Sequence, residues 1–433
     1  MKPADLRKLD QELTDFLSSM TVGMGRPERR RAMGLYITGL LLDGERKSTE
    51  PMAARLVDKA SEVEAMRQRL QECVSVSDWS DDQMRKRLAE KLDAELPGVE
   101  AFVIDDTGFP KKGKHSVGVA RQYSGTLGRT DNCQVAVSLH LASEAASGCI
   151  AMQIFVPEAW ANDLARRQTV GVPEDVVFLR KWEIALRKID AALEWGVRRH
   201  VVLADPGYGD VSEFRDGLTQ RGLRYLVGIQ GTHHVWGPGA EPRAPKPTGK
   251  RGRPKTRHRD GNKKPVAIAE LAEKIGRETY RKVTWRDGSK GKMSSKFAAI
   301  RVRPAERHTK GKPPGQEQWL LCEWPEDEAA PIKFWLSTLS ETTSLKGLVR
   351  AARIRWRIER DYQELKQEIG LDHFEGRTWR GFHHHATLCA AAHAFLALRR
   401  ALSPPEQDEM DITDGEAPPA MDSPSENRDL SAL

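Results

Sequence analysis

Three features of the chain order predict a mixed α/β fold. An all-helical start gives way to four short extended segments in succession, two strand-helix-strand units follow, and after an interruption the alternation resumes with a strand and two helices. Consecutive strands joined by tight turns pair antiparallel, whereas strands separated by helices pair parallel, so one sheet must hold both kinds of neighbour.

Residues 1–95 predict helices only. Leu6, Leu9, Leu13 and Phe16 and then Met33, Leu35, Ile37, Leu40 and Leu41 recur at helical spacing, and the segment closes on DDQMRKRLAEKLDAEL. Arg26, Arg29, Arg30 and Arg31 crowd the start of one helix, and ERKSTEPMAARL follows after a short break. That pattern suits a helix-turn-helix-like nucleic-acid binder or a solvated bundle, and the segment is read as a helical DNA-binding domain.

From Gly98 the texture changes to VEAFVIDD, SVGVARQYSG, CQVAVSLHLAS and CIAMQIFVP, separated by Gly, Lys and Asn clusters. This predicts a β-meander. A helix over about 175–196, the buried strand HVVLAD, the helix VSEFRDGLTQRG and the strand RYLVGIQ complete the first part of a core, 96–230. A stretch rich in Pro, Gly, Lys and Arg and then RKVTWR, KFAAIRVRP and QWLLCEWP predict a β-rich basic insertion over 231–330. The core resumes over 331–402 with FWLSTLS, a long helix over roughly 344–369 and an apolar helix over about 381–402. No internal repeat is visible.

Composition narrows the function. The chain has 433 residues, 39% hydrophobic and 30% charged, which is a globular balance with ample core. No apolar run reaches the roughly 20 residues of a bilayer span, and the start MKPADLRKLDQ lacks a signal-peptide core, so the reading is cytoplasmic, without a membrane partner. Five scattered cysteines without a C-x-x-C pair argue for reduced core residues. The formal charge of +7 is uneven: residues 403–433 hold nine acids against Arg428 alone and read as a disordered acidic tail. The remaining body is strongly basic and calls for a polyanionic partner. Its densest run, from Arg243 to Lys264, includes Arg251, Arg253 and Lys255 in GKRGRPK, a pattern fit for a narrow minor groove.

Three acids occupy positions from which carboxylates reach ligands. Asp105 ends FVID and Asp205 ends HVVLAD, at the strand ends where α/β sheets bind ligands, and Glu359 sits on the long helix. Arg355, Glu359, Tyr362 and Lys366 share one helical face, beside the apolar stripe of Ile354, Ile358, Leu365 and Ile369. His383, His384 and His385 point about 100° apart on a helix and cannot chelate one ion together, so one of them is assigned a phosphate or backbone contact. No Gly-rich phosphate loop appears, and ATP is not expected.

The blocks DDTGFPKKGKHSVGVARQYSGTLGRTDNCQVAVS, LADPGYGD and RWRIERDYQELKQEIGLDHFEGR, in this order, resemble the DDE transposases of bacterial insertion sequences, in particular the branch numbered 701, related to the group numbered 4. The resemblance implies a ribonuclease-H-like core interrupted by a β-rich insertion between the second Asp and the Glu. It also implies catalysis by Asp105, Asp205 and Glu359 as ligands of Mg2+, replaceable by Mn2+, with Asp106 the alternative to Asp105. Arg355, Glu359 and Lys366 match the family's Y-x2-R-x3-E-x6-K signature, while Ala352 stands at its tyrosine position. Trp356 matches a family tryptophan near the DNA end. The implied partners are double-stranded DNA, as element end and target, and a second copy of the chain, in a nucleoid-associated setting. Arg355, Lys366, Trp356, Tyr362, Lys111, Lys112, Arg251, Arg253 and Lys255 are the expected DNA contacts.

Overall fold

The computed structural model describes residues 3–125, 127–245, 257–261, 263–288, 291–305 and 315–402. The expected minor-groove residues Arg251, Arg253 and Lys255 and the acidic tail lie outside them.

The chain opens with helices α1 (Pro3–Thr21), α2 (Pro27–Leu41), α3 (Thr49–Leu56), α4 (Val63–Ser75) and α5 (Asp81–Glu95). Pro27 starts α2 where its missing N–H costs nothing, and the Ser80 hydroxyl caps α5 by accepting from Gln83 N. The meander is β1 (Ala101–Pro110), β2 (Ala120–Ser124), β3 (Arg129–Ala142) and β4 (Ser147–Ile154). Short helices α6 (Glu158–Ala161) and α7 (Leu164–Thr169) lead to α8 (Lys181–Glu194), β5 (Val201–Ala204), α9 (Pro206–Gly209), α10 (Ser212–Gln220) and β6 (Tyr225–Ile229). The insertion supplies β7 (His234–Trp236), β8 (Val266–Ala267), α11 (Ile268–Lys274), β9 (Arg281–Gly288), β10 (Gly291–Pro304) and β11 (Gln318–Glu323). β12 (Lys333–Ser337), α12 (Leu345–Ile354), α13 (Arg357–Gln363) and α14 (Trp379–Leu402) follow.

The described strands make a 12-stranded, mostly antiparallel sheet in the order β2-β3-β1-β5-β6-β12-β11-β10-β7-β8, with β4 on β3 and β9 on β10. β3 is long enough to pair β2 through Arg129–Cys133 and β4 through Ala136–Ala142. β1–β5 and β5–β6 are parallel, as the strand-helix-strand units require. The insertion does not build a separate sheet: β12 pairs both β6 and β11, so β11 and β10 extend the same one.

Alternation along β1 divides the core. Phe102 and Ile104 join the apolar cluster that also holds Phe16, Met33, Leu88 and Leu388. Ala101 and Val103 face the opposite layer with Leu348, Ile354 and Ile358. The helical start therefore shares one core with the sheet and with α14 and does not pack as a free-standing unit.

Two local expectations change. The single helix over 344–369 is broken at Arg355–Trp356 and ends in a π-helical turn, Glu364–Glu368, closed by Ile369 N donating to Glu364 O at 3.0 Å. The apolar stripe runs through the break, which is why periodicity alone misses it. The histidine run also differs from its reading. α14 is apolar around its whole circumference, the mark of a buried helix, and His383, His384 and His385 are all inside it. His385 Nε2–H donates to Gly370 O and Nδ1 accepts from the Tyr36 hydroxyl at 2.9 Å, and His384 stacks on Trp79. Burial lowers the pKa of all three, to about 4 for His383 and His385, so none is placed or charged to hold a phosphate.

Candidate active site

Register brings the two aspartates together. In the parallel pair, Ile104 lies opposite Ala204, so Asp105 and Asp205 are the next residues on adjacent strands. β5 ends there while β1 continues to Pro110, which opens the crevice at the strand end. Asp205 caps α9, its Oδ1 accepting from Tyr208 N at 3.3 Å. The glycines of LADPGYGD hold this turn against β6: a Cβ on Gly209 would lie 1.8 Å from Gly228 O, and one on Gly228 would lie 2.7 Å from Pro206 Cδ. Only a residue without a side chain permits this approach.

The third acid arrives on α13, on the layer that Ala101, Val103 and Asp105 face. Ile358 is buried there, and Glu359, one position on, turns out to solvent with its side chain 70% exposed. Arg355 joins the set. Its Nη2 is 2.9 Å from Asp105 Oδ2 and 4.0 Å from Asp205 Oδ2, and its Nη1 is 3.7 Å from Glu359 Oε1. One guanidinium thus touches three carboxylates drawn from three separate parts of the chain.

Burial outweighs this cation at both aspartates. Burial pushes the Asp105 carboxyl up to about 7; Arg355 pulls it down, and Asp205 adds to the rise. Burial likewise raises Asp205 against the pull of Arg355. Asp105 Oδ1 accepts the Asp106 amide at 2.8 Å, while the Asp106 side chain makes an ion pair with Lys181, and its charge adds to the rise at both Asp105 and Asp205. Beneath them the buried Tyr208 hydroxyl has no hydrogen-bond partner among the described residues.

The groove beside the cluster has a volume of about 450 Å3, with Asp205, Arg355, Trp356, Glu359, Gln230 and Lys333 in its wall. Arg286 from β9 lies over the Trp356 ring at 4.8 Å, which joins the insertion to this rim. Lys366 reaches the end of β1, donating to Gly108 O at 2.9 Å, and burial lowers its pKa to about 8. Tyr362 points inward, its hydroxyl 2.6 Å from Ser138 Oγ. Lys111 donates to Phe374 O at 3.2 Å, whereas Lys112 is exposed. Ala352, at the signature's tyrosine position, is buried in the α12 core.

Comparison with known proteins adds the lineage. A match to the family described as DDE superfamily endonuclease covers residues 15–292, more than half the chain and inclusive of both aspartates. The chain belongs to the DDE superfamily endonucleases. A curated relative from Microchaete diplosiphon, named as a probable transposase for insertion sequence element IS701, is 29% identical over 199 residues, which is 46% of this chain. The chain spans about half of that relative's length, 48%. DDE superfamily endonucleases generally use divalent metal ions. The donors present in this chain suit such an ion: they are hard carboxylate oxygens, and they already gather a cation in Arg355. Among the described residues no three such donors stand close enough to share an ion.

A second acidic centre escaped sequence reading. Asp361 is 4% exposed, and its Oδ2 accepts from His140 Nδ1 at 2.7 Å and its Oδ1 from Ser147 Oγ at 2.6 Å. His140 Nε2 is 3.1 Å from Ser138 Oγ. Burial works against charge on both, yet Cys149 and Asp361 hold the His140 pKa up to about 10, and His140 and Ser147 keep Asp361 below its usual range. The available signal was a histidine in the middle of the apolar run AVSLHLA, which demands a buried partner.

Proposed function

We propose that this protein is a transposase that binds the terminal repeats of an insertion sequence, cleaves a strand at each end and joins the freed 3′-hydroxyl to target DNA. The observation that carries the reading is the convergence of Asp105, Asp205 and Glu359 on one guanidinium at the open end of the sheet. Mg2+ or Mn2+ held by these carboxylates supplies activation of an attacking oxygen and stabilisation of a leaving one. Arg355, displaced from the acids, turns its fork to a phosphate of the scissile strand. Lys366 supplies positive charge beside the end of β1, and Trp356 with Arg286 gives the strand a flat, cationic rim.

The remaining parts fit this reading. The order β3-β1-β5-β6 with α13 across it agrees with a ribonuclease-H-like core made of 96–230 and 331–402. The helices of 1–95, with arginines at the start of α2, and the insertion are assigned to DNA. In the insertion a cavity of about 720 Å3 has Arg257, Arg259, Lys263 and Lys264 in its wall. Joining two ends calls for two active sites, hence a dimer on DNA in the bacterial cytoplasm.

The test is strand cleavage and joining on a duplex carrying the element's own end, with Mg2+, for the parent protein and Glu359→Gln at matched DNA occupancy. The reading expects cutting and joining by the parent and binding without cutting by the variant. Binding by both without cutting, with Mg2+ or Mn2+, overturns it in favour of a non-catalytic DNA-binding regulator. Cutting without joining leaves a nuclease.

A further inference from the structure

The pleat of β3 and the turn of α13 place a buried polar chain directly behind the acids. Ser138 pairs with Asp105 across β1 and β3, and His140 pairs with Val103. Period two on the strands then puts Asp105, Val103, Ser138 and His140 on one face. α13 packs on that face through Ile358, and Asp361 and Tyr362 reach it one turn later, since residues three and four apart share a helix face. The resulting hydrogen bonds run Ser147–Asp361–His140–Ser138–Tyr362 with separations of 2.6, 2.7, 3.1 and 2.6 Å. His140 and Ser138 are both fully buried.

Such a chain is expensive to bury and holds α13 in a single register. Apolar packing alone tolerates small shifts of a helix along a sheet, whereas a buried acid has only one place where its partners are. The need is specific here. α13 has seven residues, is cut from α12 at Arg355–Trp356 and runs into a π-helical turn whose Glu364 is tied to His393 and Arg400 of α14, so its far end is anchored to α14 while its register on the sheet is left to its own side chains. Glu359 itself is 70% exposed, and its carboxylate lies 3.7 Å from Arg355 Nη1.

We infer that Asp361 and His140 are positioning residues: with Ser138, Ser147 and Tyr362 they pin α13 to β3 and β4 so that Glu359 is delivered to Asp105 and Asp205. The inference deepens the transposase reading and rests on it for the role of Glu359. Neither residue reaches solvent or a reacting atom, so both act through α13.

Removing one partner alone strands a buried charge and could unfold the protein. The decisive variant therefore replaces the polar members by apolar groups of similar shape, His140→Phe, Ser147→Ala and Asp361→Leu together, which leaves packing intact. Three readings are taken on the full chain: amide hydrogen exchange, Mn2+ binding by paramagnetic resonance, and single-turnover cleavage at saturating DNA. A pin predicts a folded variant with parental DNA affinity, exchange in residues 357–363 faster by about 10-fold, and unchanged exchange in α14. It also predicts Mn2+ affinity weaker by roughly 10-fold and cleavage slower by about 100-fold with DNA half-saturation unchanged. If the triple variant matches the parent in exchange, metal binding and cleavage, the chain is packing only and the inference is overturned. If the parent neither binds Mn2+ nor cuts, the transposase reading fails by itself, and the exchange of 357–363 still decides whether the pin exists.

Discussion

Glu359 and Asp361 sit two residues apart on α13 and have opposite surroundings. Asp361 is buried and fully answered by His140 and Ser147, and its carboxyl stays ionised below its usual pKa. On the side where Glu359 emerges, Asp105 and Asp205 share one arginine, and burial drives their carboxyls upward. The contrast lies in charge balance: Asp361 has its partners in place, whereas burial outweighs the arginine at Asp105 and Asp205. Each centre takes one acid from α13, so each can be altered while the other is watched.

The largest expected effect falls on the unbalanced side. Asp105→Asn should slow strand cleavage by about 1000-fold or more in a single-turnover assay, because the attacking and leaving oxygens lose a shared anchor. The same variant should be more stable than the parent without metal. A carboxyl raised to about 7 from 3.8 holds its proton longer in the folded state, so its presence costs stability as pH rises from about 4 through 7. Urea melts with chelator should show Asp105→Asn ahead by up to about 4 kcal/mol at pH 8 and level with the parent below pH 4.

On the satisfied side the sign reverses. Asp361→Asn should lose about 3–5 kcal/mol in the same melts, because His140 is left buried without its counter-charge. Asp361, lowered on folding, adds stability that is lost on acidification through its folded pKa. His140, raised from 6.5 to about 10, adds stability that is complete below 6.5 and lost as pH rises through 10. The parent's pH profile should therefore flatten at both extremes in the apolar triple variant.

Arg355 couples the two acids of the crevice to Glu359, and its removal comes next in size. Arg355→Gln should slow cleavage by roughly 100-fold. Since Arg355 lowers both aspartate pKa values, carboxyl-carbon resonance titration should find the Asp105 value higher than in the parent. The smallest effect belongs to the exposed rim: Lys112→Ala should weaken DNA binding less than about threefold and lower the salt dependence by about 0.9 of one logarithmic slope unit.

Much of this frame was legible in the chain. The meander, both strand-helix-strand units and the insertion strands fall where alternation and turn residues put them, because each is set by local pattern. Asp105 and Asp205 were visible as acids at strand ends, a position packing does not explain. What escaped depends on neighbours distant in sequence. The break at Arg355–Trp356 is invisible because Ile354 and Ile358 keep their stripe across it. One of the α14 histidines was assigned a phosphate or backbone contact, and their burial escaped because Tyr36, Trp79 and Gly370 impose it from far away in the chain. Asp361 carries no signal of its own in the sequence; its burial comes from the partners that β3 and β4 supply, His140 and Ser147.

The central claim is that Asp105, Asp205 and Glu359 bind one divalent-cation centre, and iron-directed self-cleavage of the backbone tests it without any DNA. Fe2+ exchanged into the metal-binding protein, with ascorbate and peroxide, cuts the polypeptide next to the ion, and the fragments are mapped by mass spectrometry. The account predicts cuts clustered at the end of β1, at the β5–α9 turn and on α13, all suppressed by excess Mg2+ and by Asp105→Asn. Cuts confined elsewhere, such as around His233 and His258 in the insertion, or none that Mg2+ suppresses, would contradict it.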